Sequence, residues 1–308
     1  MKKFFFVSGR IALFYGLKSL KFKTDDIVLL PSIICKEALF PFKKLKIKFI
    51  FYKVNNNLFP IWEDIKKKNH KNVKAILMIH YFGFPNDVKK FINFRKSFKK
   101  IIIEDYSHGL DGKYNNFLLG NIGNISISSP RKILPINSGG ILQINDNKIK
   151  PYFDYQKIET YQVSKIGILI GKIKNHKFFR YLKFFLKNNF TYRKKINHQN
   201  FLNQKKKIDE NSYEIFKNKN KFLNKRLSVY SKIYNVLKRN KFDIIYKLNF
   251  KVNPWHLPFY INNKKQLNKL IMLKKRYNLN ILKWPKYPKE VNKKLIKSNK
   301  IIYCVTLN

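Results

Sequence analysis

Short apolar runs alternate with helical patterns along roughly the first half of the chain. Runs rich in β-branched and aromatic residues predict strands at 27–30, 47–51, 73–79 and 101–103. Apolar positions at helical spacing predict helices between them, at 11–20, 61–68 and 87–98. This alternation, which continues to about residue 145, predicts a mostly parallel sheet flanked by helices.

The pattern changes beyond residue 150, where long Lys- and Asn-rich helical stretches begin. Extended runs at 252–261, 280–285 and 301–305 then indicate a smaller α+β C-terminal domain. We predict a large α/β domain over residues 1–190, and a helical connection with the small domain over 191–308. Segment 166–186 mixes apolar and basic residues, and we interpret it as an amphipathic helix packed on its own protein rather than on a membrane surface.

The chain is strongly basic, with 66 Lys and Arg against 17 Asp and Glu and a formal net charge of +49. Such an excess is typical of proteins that bind nucleic acid or another polyanion. The charge is spread along the sequence, however, and the abundance of Lys, Asn, Ile, Phe and Tyr is typical of an AT-rich genome. We interpret most of the charge as a solvated lysine-rich surface, with a polyanion-binding protein as the open alternative.

The two cysteines, Cys35 and Cys304, form neither a disulfide framework nor a CxxC metal pair. A reducing cytoplasm is therefore the expected compartment. Residues 1–7 resemble the start of a secretory signal, but Arg10 interrupts the apolar run, so export is not expected. No run approaches the roughly 18 uncharged apolar residues that a transmembrane helix needs.

Ligands of parallel sheets bind at the carboxyl ends of the strands, which directs the search for a site to 31–32, 80–87 and 104–108. Asp105 lies at such an end, and Lys132 follows in a turn-rich stretch. Pyridoxal phosphate (PLP) chemistry needs this pair, because an amine forms an imine with the cofactor aldehyde while a carboxylate keeps the ring nitrogen protonated. Taken alone the pair is weak, since Asp105 as a helix cap and Lys132 as a solvated residue explain it more simply.

Four motifs strengthen the interpretation. Glu104 to His108 reads Glu-Asp-Tyr-Ser-His, and Lys132 precedes the pair Gly139-Gly140. Upstream, residues 80–87 read His-Tyr-Phe-Gly-Phe-Pro-Asn-Asp, and residues 8–13 read Ser-Gly-Arg-Ile-Ala-Leu. In this order the motifs resemble those of the DegT/DnrJ/EryC1/StrS family of PLP-dependent sugar aminotransferases.

The resemblance implies the PLP-dependent transferase fold of aspartate aminotransferase type I. It implies that Lys132 carries the cofactor as a Schiff base and that Asp105 holds its ring nitrogen. The expected reaction, by family analogy, moves an amino group from glutamate as donor to a keto sugar as acceptor. By the same analogy that sugar is nucleotide-linked, its product serves surface polysaccharide biosynthesis, and the enzyme is a homodimer.

Five further residues are candidates for cofactor binding. Gly9 and Arg10 open a helix, whose amino end suits the cofactor phosphate. Ser128 is either a hydroxyl donor to the cofactor or a turn serine. His108 is expected near the ring hydroxyl, with a buried and satisfied histidine as the alternative. Asn200 resembles the asparagine that reaches the phosphate in the partner subunit, although a surface role is the simpler expectation.

Other residues of these segments are expected to be structural. We interpret His80 as a structural histidine at a strand end, and Trp255 and Trp284 as packing aromatics rather than substrate platforms. Cys35 is interpreted as a small packed thiol, with a position lining the pocket as the alternative. The family usually has an arm before the first motif, and seven residues precede Ser8 here, so substrate and dimer contacts are expected to differ.

Lys132 argues against the dehydratase branch of the family, in which histidine replaces the lysine. A different substrate on the same scaffold and a noncatalytic relative stay open as alternatives, because fold does not determine function.

Overall fold

The computed structural model describes residues 1–162, 205–249, 251–284, 288–292 and 301–307. The predicted amphipathic helix at 166–186, the predicted domain boundary at 190 and Asn200 lie outside the described residues. The division into two domains therefore stays a prediction, although both sheets that it anticipates are present.

The elements of the amino-terminal part, in chain order, are β1 (Lys2–Phe6), α1 (Gly9–Ser19), β2 (Ile27–Pro31), α2 (Lys36–Lys44), β3 (Lys48–Tyr52), α3 (Trp62–Lys68), β4 (Val73–Ile79), α4 (Val88–Phe98), β5 (Ile101–Asp105), β6 (Lys113–Tyr114), β7 (Phe117–Leu118), β8 (Ile125–Ser128) and β9 (Gly140–Ile144). Short 3₁₀ turns cover Tyr81–Gly83 and Pro130–Lys132. The described elements that follow are α5 (Glu210–Lys217), α6 (Asn220–Arg239), β10 (Asp243–Ile244), β11 (His256–Tyr260), α7 (Lys264–Arg276), β12 (Ile281–Trp284) and β13 (Ile302–Thr306).

Seven strands form the large sheet, in the order β1-β9-β8-β5-β4-β2-β3. Strands β8, β5, β4, β2 and β3 are parallel to one another, whereas β9 is antiparallel to both of its neighbours. Six of the seven residues of β4 are buried, as expected for a central parallel strand covered on both faces. The predicted mostly parallel sheet flanked by helices is confirmed.

The sequence patterns missed three strands of this sheet and one helix. Strand β1 lies in the residues that resemble the start of a secretory signal. It pairs with β9 from Lys2 opposite Ile144 to Phe6 opposite Gly140. Strands β8 and β9 contain serine, glycine and glutamine, which weaken a strand pattern. Helix α2 contains Pro41, which obscured its helical pattern.

A second sheet is antiparallel, with the order β10-β11-β13-β12. Its strands β11, β12 and β13 coincide with the three extended runs that indicated a small α+β domain. Within the part of the chain that the structure describes, no helix is long and apolar enough to cross a membrane.

Candidate active site

The topology of the large sheet brings Asp105 and Lys132 to the same edge. Asp105 is the last residue of β5, and it pairs with Ile127 of the neighbouring parallel strand β8. Directly after β8, a 3₁₀ turn ends at Lys132, whose backbone N–H donates to the Ser129 carbonyl at 3.0 Å. Since parallel strands end at one edge of a sheet, the short turn delivers the amine beside the carboxylate.

The amine of Lys132 lies in a poorly solvated environment. Burial lowers the pKa of this amine below its usual value, and the nearby Cys35 thiol and Asp105 carboxyl group partly oppose that shift. The Nζ atom lies 4.8 Å from the centre of the Trp255 ring. A lowered pKa increases the fraction of neutral amine near pH 7, and only the neutral amine is nucleophilic.

The carboxylate of Asp105 is held from one side. The backbone N–H of Ser107 donates to Oδ1 at 2.8 Å, and the backbone N–H of His80 donates to the Asp105 carbonyl at 2.9 Å. Among the described residues, no group donates a hydrogen bond to Oδ2. One carboxylate oxygen therefore stays available to a donor that enters the site.

Aromatic rings surround His108. Its ring centre lies 4.6 Å from that of Trp255, 5.7 Å from Trp284 and 5.9 Å from Phe82. The backbone N–H of Phe82 donates to Nδ1 at 3.2 Å, so the proton of the neutral ring resides on Nε2. Burial, together with the nearby charges of Lys132 and His256, holds the pKa of His108 well below its usual value. The ring is therefore a neutral hydrogen-bond donor.

The backbone of Trp255 joins the segment before β11 to the loops of this site. Its N–H lies 2.9 Å from both the Phe82 carbonyl and the His108 carbonyl. Arg226 of α6, which is buried, donates from Nε to the Pro254 carbonyl at 3.0 Å and from Nη2 to the Trp255 carbonyl. These bonds fix the backbone just before β11, which places the indole of Trp255 over the Lys132 amine.

A buried carboxylate, Glu104, anchors the loop behind Asp105. It accepts from Nε2 of His80 at 3.0 Å and from the Ser126 hydroxyl at 3.1 Å. Three backbone N–H groups also donate to it, from Gly120, Ile122 and Gly123. Burial alone would raise the pKa of Glu104, but the bonds from His80 and the backbone outweigh it, so the pKa lies below its usual value.

His80 completes this anchor. Its Nδ1 accepts from the backbone N–H of Asn86 at 2.9 Å, which leaves Nε2 to donate to Glu104. The expected structural role of His80 agrees with this geometry. The motif residues Glu104 and His80 thus hold the ends of β5 and β4 in register beside Asp105.

The amino end of α1 forms another wall of the site. Ser8 caps the helix, and its hydroxyl accepts from the Ile11 N–H at 3.4 Å. A Cβ on Gly9 would lie 3.1 Å from the Ser128 carbonyl and 3.5 Å from the Ser107 hydroxyl, so the helix end approaches these residues closely. The Ser128 hydroxyl is buried near Tyr106, and it makes no hydrogen bond of normal geometry with the described residues.

The structure therefore gathers most of the predicted site residues around one edge of the large sheet: Gly9, Arg10, Asp105, His108, Ser128 and Lys132. Arg10 is partly buried, and burial lowers its pKa while Glu37 opposes the shift. Ser128 ends a strand rather than lying in a turn. Asn200 is outside the described residues.

Sequence reasoning gave too little weight to two residues of this site. Trp255 was expected only to pack, yet its ring contacts the Lys132 amine. Cys35 was expected to be a packed thiol, with pocket lining as the alternative, and it is partly buried within electrostatic range of Lys132 and Asp105. Burial raises the pKa of this thiol, although Lys132 opposes the shift. The position of Cys35, just beyond the end of β2, was the signal that pointed to the site.

Comparison with known proteins gives a consistent result. The model of a family described as the DegT/DnrJ/EryC1/StrS aminotransferase family matches residues 5–165. GDP-perosamine synthase of Escherichia coli O157:H7 is 27% identical over 145 residues, which cover 46% of this chain and 40% of that protein. The dTDP-4-dehydro-2,3,6-trideoxy-D-glucose 4-aminotransferase of Saccharopolyspora spinosa is 27% identical over 148 residues, 47% of this chain and 38% of that protein. The match thus spans about two fifths of these curated relatives.

Solved structures resemble the whole chain at low sequence identity. Helicobacter pylori PseC, an aminotransferase involved in pseudoaminic acid biosynthesis, has a TM-score of 0.65 at 15% identity, covering 100% of this chain and 82% of that one. The E. coli GDP-4-keto-6-deoxy-D-mannose-3-dehydratase with bound hydrated PLP has a TM-score of 0.66 at 16% identity, covering 100% and 84%. These likenesses show the fold, which is that of the PLP-dependent transferases.

Proposed function

The chain belongs to the DegT/DnrJ/EryC1/StrS aminotransferase family, and we propose that it is a PLP-dependent aminotransferase that acts on a keto sugar. The observation that carries the proposal is the Lys132 amine, which has a lowered pKa and lies beside the Asp105 carboxyl group and under the Trp255 ring. This combination places an amine of lowered pKa next to a carboxyl group, as the cofactor requires.

The residues present fit PLP at both of its ends. The buried Ser128 hydroxyl lacks a hydrogen bond of normal geometry among the described residues, and the backbone carbonyl of the same residue lies close to Gly9 at the amino end of α1. A phosphate at this point would accept from that hydroxyl and from the first-turn N–H groups at Gly9 and Arg10. At the other end, Oδ2 of Asp105 would accept from a protonated ring nitrogen.

The bound cofactor supplies an electron sink that stabilises the carbanion formed when an amino acid loses its α-proton. Lys132 would attach the cofactor and then, once released, move that proton through Nζ. His108 would donate from Nε2 to the ring hydroxyl. The rings of Trp255 and Phe82 would exclude water from the face of the site on which Lys132 acts.

The identity of the substrates rests on the family. We infer that glutamate is the amino donor and that the acceptor is a nucleotide-linked keto sugar, because the curated relatives are named for GDP- and dTDP-linked sugars. A product of this kind would serve surface polysaccharide biosynthesis. We place the enzyme in the cytoplasm as a homodimer, in which Asn200 would reach the phosphate in the partner subunit.

The fold alone does not choose between amino transfer and dehydration, since a solved neighbour is a dehydratase. Lys132 supports amino transfer, because a dehydratase of this family has histidine in its place. A lysine returns to the cofactor after each turnover, which a transaminase needs and a histidine cannot provide.

A half-reaction tests this proposal. Protein loaded with PLP is mixed with glutamate in the absence of acceptor, and the near-visible absorbance of the bound cofactor is followed. We expect loss of that absorbance with one equivalent of 2-oxoglutarate formed, followed by recovery on addition of a GDP- or dTDP-linked 4-keto sugar. Spectral change without 2-oxoglutarate, or no change with any amino acid donor, would overturn the proposal.

A further inference from the structure

Helix α7 has one buried face and one apolar face that is exposed. Leu270 and Leu273 are buried, whereas Leu267, Ile271 and Met272 are 37%, 49% and 70% exposed. Tyr277, directly after the helix end, is 45% exposed. Leu270 and Leu273 already hold the helix on the protein, so the stability of the fold does not require the outward apolar residues.

The same helix carries only positive charge. Its basic residues are Lys264, Lys265, Lys269, Lys274, Lys275 and Arg276, and it contains no acidic residue. Helical spacing places Lys264 two turns before Ile271 and Lys275 one turn after it, so the two lysines flank the apolar residues on the outward face. The face therefore combines cations with apolar side chains.

Comparison with α6 separates this feature from the basic composition of the chain. Helix α6 also lacks acidic residues and carries exposed lysines, among them Lys225 and Lys232. It presents no large apolar side chain among those that are prominently exposed in the described residues. The lysines of α7 thus share the general composition, whereas the combination with Leu267, Ile271 and Met272 is particular to this helix.

The chemistry of this face selects its partner. Nucleic acid neutralises lysines through its phosphates, but it does not need exposed aliphatic side chains. An anionic lipid bilayer binds both kinds of side chain, because its headgroups attract lysines while aliphatic side chains insert at the boundary between headgroups and acyl chains. A helix of 13 residues is about 20 Å long, too short to cross the bilayer, so it would lie in the interface.

We propose that the outward face of α7 docks the protein on an anionic phospholipid surface. The inference stands apart from the proposed reaction, since α7 contributes no residue to the site around Lys132.

Vesicle co-sedimentation of the full chain tests the proposal. We expect binding to phosphatidylcholine vesicles that contain phosphatidylglycerol, weak binding to vesicles of phosphatidylcholine alone, and weakening by salt. The double variant Ile271→Ser/Met272→Ser should lose at least about tenfold in affinity because it removes the inserted apolar area. Lys264→Gln/Lys275→Gln should lose affinity and become less sensitive to salt.

The matched control is Lys225→Gln/Lys232→Gln, which removes the same charge from α6 and should bind nearly as the wild type does. Circular dichroism and the thermal midpoint establish that every variant is folded. The proposal fails if the wild type does not bind anionic vesicles, or if the Ile271/Met272 variant binds them unchanged, which would indicate nonspecific attraction to polyanions. It also fails if that variant converts a dimer to a monomer on size exclusion, because a second copy would then cover the face.

Discussion

The Nζ atom of Lys132 lies 4.8 Å from the centre of the Trp255 ring. Lys132 follows strand β8 of the large sheet, and Trp255 directly precedes strand β11 of the second sheet. The backbone N–H of Trp255 bonds to the Phe82 and His108 carbonyls beside the site. The segment that leads into the second sheet therefore completes the environment of the amine.

Replacing Trp255 tests this relationship. The ring favours the cation by about 1 kcal/mol, but it also excludes water, and burial is the largest cause of the lowered pKa of Lys132. Trp255→Ala should admit water and raise that pKa, so apo-protein should react with PLP at a higher pH midpoint than the wild type. Trp255→Phe should behave nearly as the wild type does. Trp62→Phe is the control at a distant site, because the Nε1 of Trp62 donates to Asp87. An unchanged pH midpoint in Trp255→Ala would show that the Trp255 ring does not lower the pKa of Lys132.

Replacing Glu104 tests the buried anchor. Glu104→Gln keeps the shape of the side chain but turns one acceptor into a donor, so backbone N–H groups that now bond the carboxylate lose their partner. We expect a loss of about 3 kcal/mol in the free energy of unfolding, measured by urea denaturation. Glu63→Gln, on the exposed surface of α3, should change stability by less than about 0.5 kcal/mol. Equal stability of both variants would show that the carboxylate is not needed.

The close approach of β9 to the start of α1 gives another prediction. A Cβ on Gly140 would overlap the Ser8 carbonyl group, so Gly140→Ala must displace the turn that caps the helix. We expect a loss of about 3 kcal/mol in stability and weaker PLP binding, measured by thermal shift and by titration with the cofactor. In Gly112→Ala the closest contact is a movable methyl group of Leu119 at 3.1 Å, so it should be nearly neutral. PLP affinity equal to that of the wild type in Gly140→Ala would contradict binding of the cofactor phosphate at the amino end of α1.

The free energy of unfolding is expected to decrease as the pH is lowered from about 7 to about 5. Burial lowers the pKa of His256 to about 3 and holds that of His108 well below its usual value. The unfolded chain binds protons at both imidazoles below about pH 6.5, so it binds more protons than the folded chain over this range, and unfolding becomes easier as pH falls. Each histidine should contribute up to about 2 kcal/mol over the interval.

The control for this pH effect is a matched pair of variants. His256→Asn should flatten the pH dependence of the urea midpoint by removing one of the two groups, whereas His70→Asn, at an exposed position, should leave it unchanged. The interpretation is wrong if the wild type and His256→Asn lose equal stability over the interval.

Much of the site was predictable because its residues follow strands. The apolar pattern located the ends of β4 and β5, and the rule that ligands bind at strand ends then singled out Asp105. Lys132 was predictable only through the motifs. The strand before it, β8, is four residues long and contains two serines, so it is too short and too polar to be predicted as a strand.

Two features of the site depend on contacts between distant parts of the sequence. Trp255 follows Lys132 by more than a hundred residues, and no local pattern indicates that its ring lies over the amine. Glu104 was identified as a motif residue, but its function as a buried anchor depends on N–H groups of the loop at 120–123, whose path the sequence does not reveal.

The most direct test of the account is to identify the residue that attaches the cofactor. Protein incubated with PLP is reduced with borohydride, digested and analysed by mass spectrometry, with Lys132→Ala and Lys100→Ala in parallel. We predict that the wild type and Lys100→Ala carry the pyridoxyl label on the peptide that contains Lys132, and that Lys132→Ala carries none. A label on other lysines only, or no label in the wild type, would contradict the account.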